Sequence, residues 1–417
     1  MQVFKFGGAS IKDARAVQNI AQIIASYSQQ KLVIVVSAMG KTTNKLEEIL
    51  HAFLQNEDYK SLLEELSTYH ISIVEELFED VEGIKDQLED LFHGIEKTMI
   101  LHQDKPFSFI YDAIISFGEK ISSYLISQYL LQEKYSIELV AANELIRTNE
   151  QYQEAQVDWI TTKKLVTEAV ESKHQKVDIL LTQGFIGGTE AGQITTLGRE
   201  GSDFTAAIFA SCLGAANVTI WKDVPGILNA DPKKIDNATL YQELSYKEAA
   251  EMTYYGASVI HPKTIKPLAN SKIPLLVRSF QQPKEEGTII HDCEVRHLEP
   301  CIIMKEKQCL ITFRVTDFSF VSEYNLSKIF TALAEHHIKI NMMQNSAISF
   351  SVCVNEEKHK LEPFLSLMKE DFDVYYNNEL TLITIKNYQE TVIQQLQGER
   401  KLYLEQRTRK NYQMVVS

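Results

Sequence analysis

Short, mostly apolar runs recur through the first 280 residues, at 3–6, 31–36, 137–141, 177–181, 218–221 and 273–277. Runs without polar alternation suit strands buried on both faces, as in parallel sheets. Parallel neighbours need long crossover connections, and helical patterns lie between most of the runs. The alternation therefore predicts an α/β fold with a mostly parallel sheet covered by helices on both faces. Ligands in such sheets bind beyond the carboxyl ends of the strands. The residues just past each run are thus the candidates for chemistry.

The richest of these edges is 182–207, TQGFIGGTEAGQITTLGREGSDFTAA, which reads as a loop leading into a helix. Its glycines let the backbone bend sharply and approach a ligand, and Arg199, Glu200 and Asp203 place both signs of charge among them. Ser202 or Asp203 is the expected N-cap, and the free N–H groups and positive dipole end of the helix suit an anion. At the amino terminus Lys5 precedes Gly7 and Gly8, a strand end that offers phosphate an ammonium and backbone donors without a Walker motif. Ser37 follows the second run, and Thr42 or Thr43 is positioned to cap the helix after it. Glu119 opens an apolar helix at 121–131, where it serves either the helix dipole or the ammonium of an amino-acid substrate. Trp221 to Gly226 and Asn229 to Lys233 carry two turn signals and two aspartates at another carboxyl edge. His261, beside Pro262, reads as a capping or structural histidine.

The chain has 417 residues, enough for two or three domains, with the 44% hydrophobic and 24% charged content of a globular protein. A net charge of −14 opposes binding to nucleic acid or to an anionic membrane surface. No run reaches membrane-spanning length, and MQVFKFGGAS lacks the apolar core of a secretory signal. The five cysteines have no C-x-x-C spacing and read as reduced thiols, with no metal site, in a cytoplasmic protein. Residues 45–105 are acidic and leucine-rich, expected to form two or three packed helices with wet charged faces. His51, His70, His93 and His102 fall there as surface or packing residues.

The pattern changes near Gly287. Expected strands at 302–303, 310–315, 338–343, 349–354, 373–376 and 380–386, with helices at 326–336 and 361–368, suggest a βαββαβ module. A short helix at 390–397 and strands at 402–408 and 412–416 read as an abbreviated second copy.

Taken in order, Lys5-Phe6-Gly7-Gly8-Ala9-Ser10, Val36-Ser37-Ala38, Ser116-Phe117-Gly118-Glu119, Gly198 to Asp203, Trp221 to Pro232 and Gly256 to Pro262 resemble the aspartokinases of the amino-acid kinase superfamily. The resemblance implies a three-layer kinase domain over residues 1–290. It implies ACT-type, ferredoxin-like regulatory modules over 291–417, the first at about 300–376 and the abbreviated second at about 377–417. It implies transfer of the ATP γ-phosphoryl group to the β-carboxylate of L-aspartate, the first step towards lysine, threonine and methionine. Lys5, with the amides of Gly7 and Gly8, would stabilise the transferring group, and Asp203 would organise Lys5 and, potentially, magnesium. Arg199 would clamp the α-carboxylate, Glu119 the ammonium, and Thr43, Ser37 and Ser202 would complete the amino-acid site. Ser10, Lys222, Asp223, Leu228, Asp231, Lys233, Ser258 and Val259 would meet the nucleotide, with Mg2+ carried by its phosphates.

The family usually has threonine, tyrosine, arginine and lysine where this chain has Lys222, Leu228, Lys233 and Ser258. Altered ATP affinity is the expected consequence. The first module's turn, 318–324, has no glycine, and Asn341 replaces a common aspartate, so inhibition by lysine is not expected to follow the family pattern. A homodimer or homotetramer through the ACT region is expected. Two other readings stay open: a kinase of another acidic amino acid such as glutamate, and a weakly catalytic amino-acid-binding regulator.

Overall fold

The computed structural model describes residues 1–257, 260–295, 299–316 and 320–417. Two compact units divide the chain, and the division is not a single cut near 290. The first holds 1–227, 240–250 and 259–294; the second holds 228–239, 251–258 and 295–417. Backbone hydrogen bonding accounts for part of this, because the Ile302 N–H donates to the Asn229 carbonyl within the second unit.

The first unit is built on an eight-stranded sheet in the order Ile137–Val140, Ile179–Gln183, Leu32–Val36, Gln2–Phe6, Val218–Lys222, Leu275–Ser279, Thr288–His291, Glu243–Ser245. Only the pairing of Thr288–His291 with Leu275–Ser279 is antiparallel. Gln2–Phe6 lies at the centre, Lys5 registering with Val35 on one side and Ile220 on the other. Phe4, Phe6, Ile34, Val36 and Leu181 belong to one apolar cluster, together with Ile20 and Ile24 of the helix Ala14–Ala25 and Ile121 and Leu125 of Phe107–Gln132. Val3, Val33, Val35 and Leu180 alternate with them and are equally buried. Period-two alternation sends these to opposite faces, so the sheet is covered on both. The helix Gly201–Leu213 is buried nearly all round, rich in alanine, and packs on the strands beginning at Gln2, Leu32 and Val218. The acidic region forms three helices, Thr42–Leu54, Tyr59–Leu77 and Glu82–His102.

Several local expectations change. The stretch 182–207 is not one loop: Ile186–Gly188 and Ile194–Thr196 form an antiparallel hairpin, turning at Gly192 with φ +80°. The helix after it starts at Gly201, capped by the backbone of Glu200, because Ser202 and Asp203 are already in its first turn. Thr42 likewise begins its helix, with Lys41 as N-cap, and neither threonine caps it. Glu119 is in the middle of the 26-residue helix Phe107–Gln132, so no helix end is there to account for its charge.

The second unit has one six-stranded antiparallel sheet, ordered Ile340–Asn345, Ser349–Asn355, Cys301–Val315, Phe372–Lys386, Asn411–Val416, Leu402–Arg407. The expected strand pairs 302–303 with 310–315, and 373–376 with 380–386, are each one continuous 15-residue strand. These two pair along their length, with a bulge around Gln308. Two helices, Glu323–Glu335 and Lys358–Met368, cover Phe313, Phe350 and Val352. The single helix Glu390–Gln397 covers Ile383, Ile385 and Met414. Buried Lys386 is neutralised by Glu251. Among the described residues, no helix is long and apolar enough to cross a membrane.

Candidate active site

The carboxyl ends of Gln2–Phe6, Leu32–Val36, Ile179–Gln183 and Val218–Lys222 open onto a cleft of about 710 Å3 in the first unit. Its walls include Lys5, Gly8, Ser37, Thr43, Glu119, Arg199, Ser202, Asp203 and Lys222, residues spread over more than 200 positions of sequence. Close approach of loops makes this possible. A Cβ on Gly8 would fall 2.8 Å from the Ala38 carbonyl oxygen and 2.9 Å from that of Gly40; one on Gly184 would fall 2.5 Å from Ser202 Cβ. Only glycine at both positions lets the strand ends and the helix start meet.

Lys5 and Asp203 form a buried ion pair, Nζ to Oδ1 2.6 Å, with 8% and 3% of their surfaces exposed. Lys222 brings a second ammonium to 3.8 Å from Asp203 Oδ2. Burial pushes the Asp203 carboxyl up, but Lys5 and then Lys222 outweigh it and hold the group below the ordinary range. Arg199 is exposed on the wall, and no ion pair engages it among the described residues.

Glu119 is 3% exposed. Its Oε1 accepts from the Ala38 N–H at 3.2 Å, while Oε2, also buried, has no hydrogen-bond donor among the described residues. Burial pushes its carboxyl up to about 8, against the opposing influence of the Ala38 N–H and Lys5. A buried carboxylate oxygen without a donor is costly, and it faces a cleft where a cation would relieve it.

Asp112, absent from the sequence expectations, organises the rim. It is fully buried on the same helix as Glu119 and accepts from the Gln153 N–H, from the Thr196 N–H at 2.7 Å and from the Thr196 hydroxyl at 2.7 Å. Burial raises its pKa despite these donors. Gln153 and Glu154, on the segment it holds, line the cleft with Tyr111, Phe185 and Glu200. A lone carboxylate inside the apolar run Ile110 to Ile115 was the available signal. Glu200 was visible as a charge among the loop glycines; nothing in their local sequence marks Gln153, Glu154, Tyr111 or Phe185.

Gly7 is behind Lys5, a Cβ there falling 3.3 Å from Nζ. Ser10 is buried and its hydroxyl donates to the Trp221 carbonyl at 3.1 Å, so it ties the turn after the first strand to the strand Val218–Lys222 and is not on the cleft wall. Asp223 is exposed beyond the strand end and is not on the cleft wall. Leu228, Asp231 and Lys233 belong to the second unit, where Asp231 Oδ1 accepts from the Lys233 N–H at 2.9 Å in an exposed turn. Ser258 and Val259 lie outside the described residues. His261 caps the helix Pro262–Ser271, its Nδ1 accepting from the Lys263 N–H at 3.2 Å, as expected. His70 is a packing residue, fully buried, with its pKa lowered by burial to about 4.

Residues 1–279 match the model of the amino acid kinase family. The chain is 30% identical over 355 residues to lysine-sensitive aspartokinase 3 of Escherichia coli (strain K12), covering 85% of this chain and 78% of that protein. It is 28% identical over 389 residues to a bifunctional aspartokinase/homoserine dehydrogenase of Buchnera aphidicola, covering 90% of this chain and 47% of that protein, so it spans about half of that relative's length. Among solved structures, E. coli aspartokinase III in complex with aspartate and ADP (R-state) matches with a TM-score of 0.83 at 25% identity. That match covers 100% of this chain and 96% of the other.

Proposed function

Because the chain belongs to the aspartokinases of the amino acid kinase family, we propose that it transfers the γ-phosphoryl group of ATP to the β-carboxylate of L-aspartate, giving 4-phospho-L-aspartate. The observation that carries this reading is the division of charge in one cleft: ammonium groups gathered on Asp203, and a buried Glu119 oxygen without a donor. Phosphoryl transfer brings two anions together, so positioning and charge neutralisation dominate catalysis. Lys5 and Lys222 supply cations for the phosphates, and Asp203 fixes both. Arg199, in no ion pair among the described residues, forks onto the α-carboxylate. Glu119 takes the α-ammonium through Oε2, which selects a free amino acid over an N-acylated one. The attacking carboxylate is ionised at neutral pH and needs no general base.

Magnesium fits this cleft as part of the nucleotide and not as a protein-held ion. Asp203 faces an ammonium on each oxygen, and the one group of potential metal ligands found among the described residues, Glu243, His291 and Cys293, does not line the cleft. The ion offsets phosphate charge, and no protein step runs through it.

Leu228, Asp231, Lys233, Ser258 and Val259 are assigned to the nucleotide on sequence resemblance, and the departures at Lys222, Leu228, Lys233 and Ser258 are read as altering ATP affinity. We read residues 1–290 as the catalytic region and 291–417 as ACT-type, with modules at about 300–376 and 377–417 that join copies of the chain. The E. coli relative is named for lysine sensitivity. Here Asn341 is committed to Gln308 and Asn355, each at 2.8 Å, and to the Lys305 ammonium at 2.9 Å. A cation at Asn341 favours little response to lysine.

A coupled ADP-release assay across a panel of amino acids tests the reading. Aspartate should be the preferred acceptor, with turnover sharply reduced in Lys5→Ala and Asp203→Ala. Preference for glutamate supports the neighbouring kinase reading, and no turnover with any acceptor defeats both.

A further inference from the structure

Glu200 occupies the left-handed region, φ 54° and ψ 29°, at the start of the helix that carries Asp203. Side chains with a Cβ are strained there and glycine is not, so a glutamate at this corner needs something to offset the strain. Two contacts do so. Its backbone carbonyl accepts from the Asp203 and Phe204 N–H groups, each at 3.1 Å, starting the helix. Its side chain reaches 61 residues along the chain, where Oε2 accepts from the His261 N–H at 2.8 Å. His261 is the N-cap of the helix Pro262–Ser271, so a carboxylate meets the positive end of a second helix, where a negative charge is favoured. The two helices run against one another further on, Ser211 Oγ and Ser271 Oγ being 2.9 Å apart. One residue thus fixes the amino ends of both.

We propose that Glu200 is a positioning residue, its carboxylate latching the Gly198–Asp203 corner to the amino end of the helix Pro262–Ser271 so that Arg199 and Asp203 are held in register for the transfer. The inference rests on the phosphoryl-transfer reading for its functional consequence, but the latch itself can be measured without turnover. Glu200 need not touch substrate; it acts through the corner it holds.

Three variants separate this from a merely structural role. Glu200→Gly removes the latch and also the backbone strain, so the two effects partly cancel and its melting temperature should fall less than that of Glu200→Ala. Its kcat/KM for aspartate should nonetheless fall about ten- to a hundredfold, the factor for losing one charge-assisted hydrogen bond. Glu200→Gln keeps a carbonyl acceptor and should stay within about threefold of wild type. Glu200→Ala should lose both stability and activity. Wild-type kcat/KM in Glu200→Gly overturns the proposal. So does an equal loss in the glycine and glutamine variants, which would mean that the charge acts on a ligand directly. Hydrogen–deuterium exchange of the peptide carrying His261 supplies the independent readout. Faster exchange in Glu200→Gly than in Glu200→Gln supports the latch, and unchanged exchange refutes it. If the wild type turns over no acceptor, the functional reading fails and the latch stands or falls on exchange alone.

Discussion

Replacing Glu119 by glutamine should remove a pH dependence that the empty cleft builds in. Burial holds the Glu119 carboxyl protonated up to about pH 8 when no cation occupies the cleft. An amino-acid ammonium arriving at Oε2 needs the ionised form, so binding must release that proton. With a midpoint near 8, about half the sites are ionised at pH 8, roughly a tenth at pH 7 and about one hundredth at pH 6. The expected fall in kcat/KM for aspartate from pH 8 to pH 6 is therefore about fiftyfold, approaching tenfold per unit at the acid end. Calorimetry at pH 7 should show close to one proton released on binding, read as an enthalpy that varies with the buffer's ionisation heat. Stability has a definite sign as well. A carboxyl with a raised folded-state pKa favours the fold below its ordinary value of 4.5, and that contribution is lost as the pH climbs through about 8. Glu119→Gln should flatten all three profiles while binding aspartate more weakly at pH 8. A wild-type kcat/KM that is level from pH 6 to 8, with buffer-independent binding heat, would refute the reasoning.

Other perturbations address the rest of the cleft. Asp203→Ala leaves the buried Lys5 ammonium without its close carboxylate and should cost about 3–5 kcal/mol by urea unfolding, while Lys5→Ala should lower kcat about 10²- to 10³-fold with little change in the aspartate KM. Gly8→Ala forces a methyl against the carbonyls of Ala38 and Gly40, at 2.8 and 2.9 Å; about 1–3 kcal/mol of stability should be lost, together with activity, in a thermal melt and an ADP assay. Asp112→Asn retains an acceptor oxygen but turns an NH2 towards donors on Gln153 and Thr196. A loss of about 1–3 kcal/mol and a higher amino-acid KM are expected, checked by unfolding and initial rates.

What the sequence disclosed, it disclosed through local signals. The strands at the sheet's centre were legible because a fully buried parallel strand writes itself as an uninterrupted apolar run, as in Leu32–Val36. Lys5, Arg199 and Asp203 were legible because charges beside glycines at strand ends are conspicuous. Glu119 drew attention on two readings, of which the fold removes the helix-dipole one, since its helix extends twelve residues before it. Three-residue strands such as Glu243–Ser245, and the fusion of two short runs into Cys301–Val315, escaped notice because distant pairing decides them. Gln153 escaped, and Glu200 was noticed only as a charge, because their roles exist only after segments remote in sequence have met.

The cleft also answers how a chain of net charge −14 can hold two anions against each other. A simple row of lysines would not survive burial, because an unpaired ammonium in a dry site is expensive or loses its proton. Asp203 solves this by sharing: one carboxylate draws in both Lys5 and Lys222, which leaves the trio with one positive charge instead of cancelling it. Arg199 adds a second, held at the exposed rim where hydration supports it. Glu119 subtracts nothing from this balance while the cleft is empty, because it then carries a proton. It becomes negative only when an ammonium comes to meet it, and that ammonium travels with the very carboxylates the cations attract. Glu154 and Glu200 also stand on the wall, so phosphate and substrate meet a separation of charge within the cleft, cations gathered around Asp203 and carboxylates set apart from them, instead of a uniformly cationic well.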